Sequence, residues 1–272
     1  MTAGAVVAVW RMEWAKLRAQ WTARTLLAAC VAGPIVFVGA IRAQSGVPSD
    51  TLFGRAIMET GFATPLVILG FAGIWILPVL ASAVGGELFS ADDRYGTWPT
   101  LLTRSCTRAE IFAGRVATAL AFSSLAIAVL AFSSVAAGVI AIGTQPLIDL
   151  SGTLRAGQSA LALVAGAWTS VLPAAWALTA IAVLVSIATR SSAAGVGVPV
   201  MISLLLQLCA YIDGPEAMRR LLLTSGFTAW RGLALEPRDV TPLAWSLIVS
   251  AIYFAAATAI AYRLLRHREI AR

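Results

Sequence analysis

Hydrophobic and polar positions in this chain segregate into long blocks. Six stretches without any Asp, Glu, Lys or Arg, at residues 25–41, 62–84, 116–147, 156–189, 191–212 and 240–262, are separated by segments that hold all of the charge. A bilayer core asks for about 20 apolar residues, within a range of about 17 to 25, and the first stretch lies at the short end of that range while the others clear it. In lipid every backbone N–H and C=O must be satisfied internally, and continuous runs of this length achieve that only as helices. The pattern therefore predicts an all-α, polytopic membrane protein with six transmembrane helices in a single domain over residues 1–272. Pro34, Pro65, Pro78, Pro173 and Pro199 fall inside the stretches and predict kinks.

Ahead of the first stretch the period shortens. Val6, Trp10, Trp14, Leu17 and Trp21 recur at helical spacing and share a stripe about 80° wide at 100° per residue. Arg11, Glu13, Lys16, Arg18 and Gln20 flank it. This predicts an amphipathic helix over 5–22 lying in the membrane interface, with the tryptophans at headgroup level and Lys16 and Arg18 toward water and lipid phosphate. A charged amphipathic start of this kind is unlike the short apolar core of a cleaved signal peptide. At the far end of the chain, residues 213–239 form an outer connector too apolar to be freely solvated, and short helices are expected there.

Composition and charge refine this picture. With 59% hydrophobic and 12% charged residues and a mean hydropathy of +0.85, a soluble domain would lack the polar surface to stay dispersed. An even number of spans puts both termini on one side. The connectors on that side carry thirteen of the 20 Lys and Arg residues and six of the 13 acids, whereas the opposite connectors carry seven of each, so the net charge of +7 lies on one face. The positive-inside bias makes that face cytoplasmic. Basicity is thereby explained by topology and anionic lipid, and no nucleic acid partner is expected.

Absences exclude whole classes of chemistry. Lys16 is the only lysine and is followed by Leu17, so no phosphate-binding G-x-x-x-x-G-K-[ST] loop exists in the chain. His267 is the only histidine, which rules out H-E-x-x-H and any multi-histidine metal site. The three cysteines, Cys30, Cys106 and Cys209, suggest no disulfide framework. The spans hold none of the ionisable residues that mark proton relays. Asp213-Gly214-Pro215-Glu216-Ala217 begins like a phosphatidyl-transferase signature, but Met218 stands in place of its arginine and no aspartate pair follows, so the segment is read as a turn.

The richest connector joins the second and third stretches. Residues 86–108 and the few that follow carry Glu87, Asp92, Asp93, Arg94, Arg104, Arg108, Glu110 and Arg115, more charge than a simple helix–helix link requires. Thr97 can N-cap a short helix with Pro99 in its first turn and Leu101 and Leu102 on its apolar face. Thr107 with Glu110 reads as a capping box opening the third span.

Glu87, then Gly96-Thr97, Leu101-Leu102-Thr103, Arg108 and Gly114-Arg115 resemble the pattern found in permease subunits of type-two ATP-binding cassette exporters. The start Glu13-Trp14-Ala15-Lys16-Leu17-Arg18 and the tail Arg266-His267-Arg268-Glu269-Ile270 are similar to the ends of that family, and the six spans match over essentially the full length. Ser105 and Cys106 stand where the pattern has proline and its neighbour, Pro99 interrupts its Gly-Thr-Leu run, and Arg115 replaces a lysine.

The resemblance implies a prokaryotic plasma-membrane permease, working as a homodimer or with a related permease. Two copies of a separate ATPase would supply the ATP and Mg²⁺ chemistry, while this chain would bind no cofactor or metal and would be no enzyme itself. It implies that 86–108 contains the coupling segment gripped by the ATPase. Glu87, Arg94, Gly96, Thr97, Leu101, Leu102, Thr103, Arg104 and Arg108 are its candidate residues. It implies a substrate route lined by the second and fifth spans, which offer Phe71, Trp75, Pro78, Met201 and Gln207, a lining suited to a hydrophobic or amphipathic drug, lipid or peptide. Gln207, strongly polar at membrane depth, calls for a partner. A non-transporting scaffold or immunity protein is the competing reading; a membrane enzyme lacks a catalytic cluster.

Overall fold

The computed structural model describes residues 3–44, 52–96, 107–210 and 219–267. Helix α1 (Ala3–Ala19) stops one residue short of α2 (Trp21–Ala43), because Gln20 is extended at φ −75°, ψ 132°. The second apolar stretch becomes α3 (Ala63–Ala72) and α4 (Ile76–Glu87), followed by the short α5 (Ser90–Tyr95). Then come α6 (Arg108–Ala141), α7 (Gly157–Ser170), α8 (Leu172–Thr189), α9 (Ser192–Ala210) and α10 (Thr241–His267). A minute antiparallel hairpin pairs β1 (Leu147–Ile148) with β2 (Leu154–Arg155), and 3-10 turns occupy Arg55–Met58, Leu223–Phe227 and Ala229–Ala234.

By length and apolarity α2, α6, α7 with α8, α9 and α10 each suffice to cross a membrane, and the bent pair α3–α4 makes a sixth span if it is counted as one. The chain is thus a multi-pass helical membrane protein. The stretch expected at 116–147 is displaced: α6 starts at Arg108 and ends at Ala141, where Gly143 at φ 115° turns the chain. Its 34 residues reach about 50 Å at about 1.5 Å each, more than the roughly 30 Å of a hydrocarbon core.

The pair α7–α8 forms the centre. Of its most apolar window 61% is buried, against 17–28% in the other four single spans. Small residues let the helices close on it. A Cβ at Gly85 of α4 would come within 2.9 Å of the Thr179 carbonyl oxygen of α8, and the Thr179 hydroxyl donates to the Ala81 carbonyl at 2.8 Å. On the other side of α4, a Cβ at Gly86 would fall 2.5 Å from the Gly195 carbonyl carbon of α9. Backbone-to-backbone approach through small residues is how helices gain packing energy where lipid offers no hydrophobic drive.

Two expectations from periodicity shift in the fold. The buried face of α1 is Val9, Glu13 and Leu17, rotated by roughly 60° from the predicted stripe at 100° per residue. Trp10 and Trp14 stack on one another beside it, ring centroids 6.1 Å apart. Trp21, expected to complete that stripe, instead opens α2 and is 77% exposed, because the extended Gln20 resets the helical phase. The connector expected to hold short helices contains the two 3-10 turns from Leu223 onward. They are packed inward: Leu223, Phe227 and Trp230 are buried in the core, and Trp230 lies against Phe53 at 6.4 Å.

Candidate functional site

Seven helices converge at the end of the molecule where α4 stops and α6 begins. At its heart Arg115, two turns into α6, is 1% exposed. Its Nε and Nη2 donate to Glu13 Oε1 of α1 at 3.2 and 3.0 Å, and its Nη1 pairs with Asp92 Oδ2 of α5. Lys16, one turn along α1, donates to the same Glu13 oxygen at 3.0 Å. The guanidinium carbon sits 5.2 Å from the centroid of the Phe89 ring, which covers its face. Two cations meet two carboxylates, so the cluster is neutral. A guanidinium this deep is tolerable only because planar, multidentate pairing replaces its lost hydration.

Local chemistry sets each member in place. Gly114, the residue before Arg115, brings α1 and α6 together, since a Cβ there would come within 2.7 Å of Val9. On the α5 side, the Ser90 amide donates to Ser186 Oγ of α8 at 3.1 Å and its hydroxyl to the Gly86 carbonyl at 3.0 Å. Gly96, at φ 62°, ends α5 in the left-handed conformation that glycine adopts without strain, its amide returning to the Asp92 carbonyl. The chain is next described at Thr107, where the capping box is formed: the Glu110 amide donates to the Thr107 hydroxyl, and Glu110 Oε2 accepts the Thr107 amide at 2.9 Å.

The described residues on either side of 97–106 are thus anchored to neighbouring helices. Upstream, Asp92 is held by Arg115, and Arg94 donates to the Ser192 hydroxyl at the start of α9. Downstream, Arg108 donates to the Leu265 and Arg266 carbonyls at 3.2 and 3.0 Å, satisfying the last turn of α10. Thr97, Leu101, Leu102, Thr103 and Arg104 lie outside the described residues. Glu87, the last residue of α4, is half-buried and makes no ion pair among the described residues. Arg18 is exposed on α1.

In the sequence, Glu13 stands as a flanking charge and in the start segment similar to the family's, Asp92 as a connector charge, and Arg115 as the motif position that replaces a lysine; none of these readings pairs them. One signal was available: Val9, Glu13 and Leu17 are spaced by four, which puts a carboxylate in line with two apolar residues on one helix face.

The residues proposed for the second and fifth spans divide into two groups. The α3–α4 bend of 59° follows from Pro78, which lacks the N–H that would have bonded the Ile74 carbonyl four residues earlier. Gln207 of α9 supplies the missing donor, its Nε2 lying 3.1 Å from that carbonyl and 3.4 Å from the Gly73 carbonyl. Gln207 thus braces the break. Phe71 and Trp75 flank the bend, 45% and 60% exposed. They line an apolar groove of about 530 Å³ with Cys30 and Phe37 of α2 and Leu130 of α6. Met201 does not line this groove and faces outward on α9.

At the opposite end, Arg155 Nε donates to Asp149 Oδ2 at 2.9 Å and Nη2 to Glu236 Oε2 at 2.8 Å, clipping the β hairpin to the segment after the second 3-10 turn. Burial would raise the Asp149 pKa, but the Arg155 hydrogen bond and the Thr153 and Ser151 amides hold it below its usual value.

The fold and these sites define a multi-pass membrane protein whose polar chemistry is concentrated at the two ends of its helices. The chain belongs to the family described as protein of unknown function (DUF2705), whose family model matches residues 41–271. The match begins near the end of α2 and so includes Asp92 and Arg115 but not Glu13. No curated protein matches the chain.

Proposed function

We propose that this chain is the permease subunit of an ABC exporter, moving a hydrophobic or amphipathic substrate outward by alternating access. The observation that carries the reading is the anchoring of the described residues that flank 97–106. A buried, neutral ion-pair cluster joins α1, α5 and α6, while Arg94 and Arg108 reach α9 and α10. A force applied between these anchors is transmitted to the spans as a rigid-body push, since opening the Arg115 links would strip a buried charge of its counter-charges.

In this reading the anchored end faces the cytoplasm, as its excess of positive charge requires, and both termini lie there with α1 in the inner interface of a prokaryotic plasma membrane. Two copies of a separate ATPase grip residues 86–108, with Leu101 and Leu102 buried in a groove of the ATPase. A second copy or a related permease completes the route, toward which Phe71 and Trp75 contribute an apolar lining.

The test is purification of the C-terminally tagged chain from native membranes in mild detergent. Stoichiometric recovery of an ATPase carrying the phosphate loop that this chain lacks, lost on Leu101→Asp, is the expected result. Recovery of the intact chain alone, after crosslinking as well, overturns the reading in favour of a non-transporting scaffold.

A further inference from the structure

We infer that the outward face between α2 and α6 is a binding site for one glycerophospholipid, held by an acyl chain in an apolar groove and by its phosphate on Arg42. This rests on the membrane-spanning character of the two helices and not on the transport reading.

The groove has a volume of about 800 Å³. Its floor is made by Val38 and Ser133, both buried, and its rims by Ile35, Phe132 and Ile140, which are 59%, 78% and 85% exposed. Gly39 and Ala136 leave it deep. The floor hydroxyl is spent, because Ser133 donates to the Cys30 carbonyl at 2.7 Å, so the interior presents only hydrocarbon. A recess of this size cannot stay empty in a protein packed to crystal-like density, and nothing polar can enter it without losing hydrogen bonds.

Length and charge decide the occupant. The lining runs from Val31 to Arg42 on α2 and from Ala128 to Ala141 on α6. At about 1.5 Å per residue that is about 17 to 20 Å, slightly more than half of the roughly 30 Å hydrocarbon core. The groove therefore spans one leaflet and ends at headgroup depth. There stands Arg42, exposed on the last turn of α2, with no ion pair or side-chain hydrogen bond among the described residues. The lining includes no acid. A guanidinium with no acid beside it among the described residues of the groove, above an apolar, leaflet-long slot, matches a phosphodiester with an acyl tail and favours an anionic headgroup over one carrying its own cation.

The experiment uses the full chain in nanodiscs of phosphatidylcholine containing a fraction of phosphatidylglycerol, followed by release into mild detergent and native mass spectrometry. The wild-type chain is expected to retain one lipid, enriched in phosphatidylglycerol over the disc. Arg42→Gln should cut that enrichment about fivefold, the equivalent of about 1 kcal/mol for one basic residue near the surface. Ala136→Phe, which fills the slot from its floor, should abolish retention of both lipids while circular dichroism stays unchanged. Lipid-free wild-type protein, equal retention in all three proteins, or a second copy of the chain crosslinking across Ile35 and Ile140 would each overturn the proposal. If Ala136→Phe misfolds, Arg42→Gln decides alone through the lipid ratio.

Discussion

Both ends of the molecule place an arginine between two carboxylates, and they differ in what holds the group together. At the Arg115 cluster the guanidinium is buried with Glu13 and Asp92, and the residues come from three helices, Glu13 and Arg115 lying 102 residues apart in the chain. At the hairpin clip Arg155 meets Asp149 six residues away, and its second partner Glu236 is 56% exposed. Water can take over for Glu236 if the clip opens. No water reaches Arg115. The first arrangement thus binds three helices into one body, whereas the second ties the β hairpin to an exposed Glu236 outside any helix, and the first is the better suited to passing a displacement between helices.

The largest effect expected is from Arg115→Met, which removes the Arg115 charge from buried Asp92 and leaves Glu13 paired with the half-exposed Lys16, and should cost about 3–5 kcal/mol. Thermal unfolding in detergent measures it, and adding Glu13→Gln with Asp92→Asn should restore a large part. If Arg155→Met proves equally costly, the contrast between the two ends fails. Next comes Gly86→Ala, whose Cβ would lie 2.5 Å from the Gly195 backbone. Separating α4 from α9 should cost about 1–3 kcal/mol, read in the same assay, as overpacking does elsewhere.

Gln207→Leu sits between the two regions. Removing the donor to the Ile74 carbonyl should cost about 0.6 to 2 kcal/mol, the range for interhelical hydrogen bonds in bilayers, and should change the reactivity of a cysteine placed at Trp75. Replacing Pro78 by Ala in the same chain returns an amide to Ile74 and should offset the loss. The smallest change is Glu236→Gln, where solvent screening limits the effect to less than about 1 kcal/mol.

The pH response sharpens the hairpin side of the comparison. A carboxylate whose folded pKa is depressed contributes stability that is present above its unfolded value, about 3.9 for Asp, and is lost as pH falls through the lower folded value. Hydrogen exchange at the Ser151 and Thr153 amides, which Asp149 accepts at 2.9 Å, should therefore stay protected on going from about pH 7 to about pH 5. Protection should collapse only below the ordinary aspartate range. Asp149→Asn should remove that dependence.

What could be read without coordinates was local in the chain. Each apolar stretch announces its helix because burial in lipid depends on the composition of about 20 consecutive residues, and the Thr107–Glu110 box is complete within four. The capping box formed as written, and α2, α9 and α10 lie close to their apolar runs. Pro78 likewise predicted a kink, although not which group would satisfy the carbonyl it orphans. The misplacements arise where one phase meets another: Gln20 breaks a stripe that periodicity carries through to Trp21, and Gly143 ends α6 before the apolar run does.

By itself the sequence determined that this is a chain of helices apolar enough to cross a membrane several times, because hydropathy acts on each segment separately. Only the tertiary structure decided that Glu13 meets Arg115, that Arg108 closes α10, that Gln207 serves the break beside Gly73, and that Arg42 heads a leaflet-long groove. Each of those joins residues far apart in the chain. Their energies depend on distances set by glycine contacts such as Gly86 with Gly195 and Gly114 with Val9, which no window along the sequence contains.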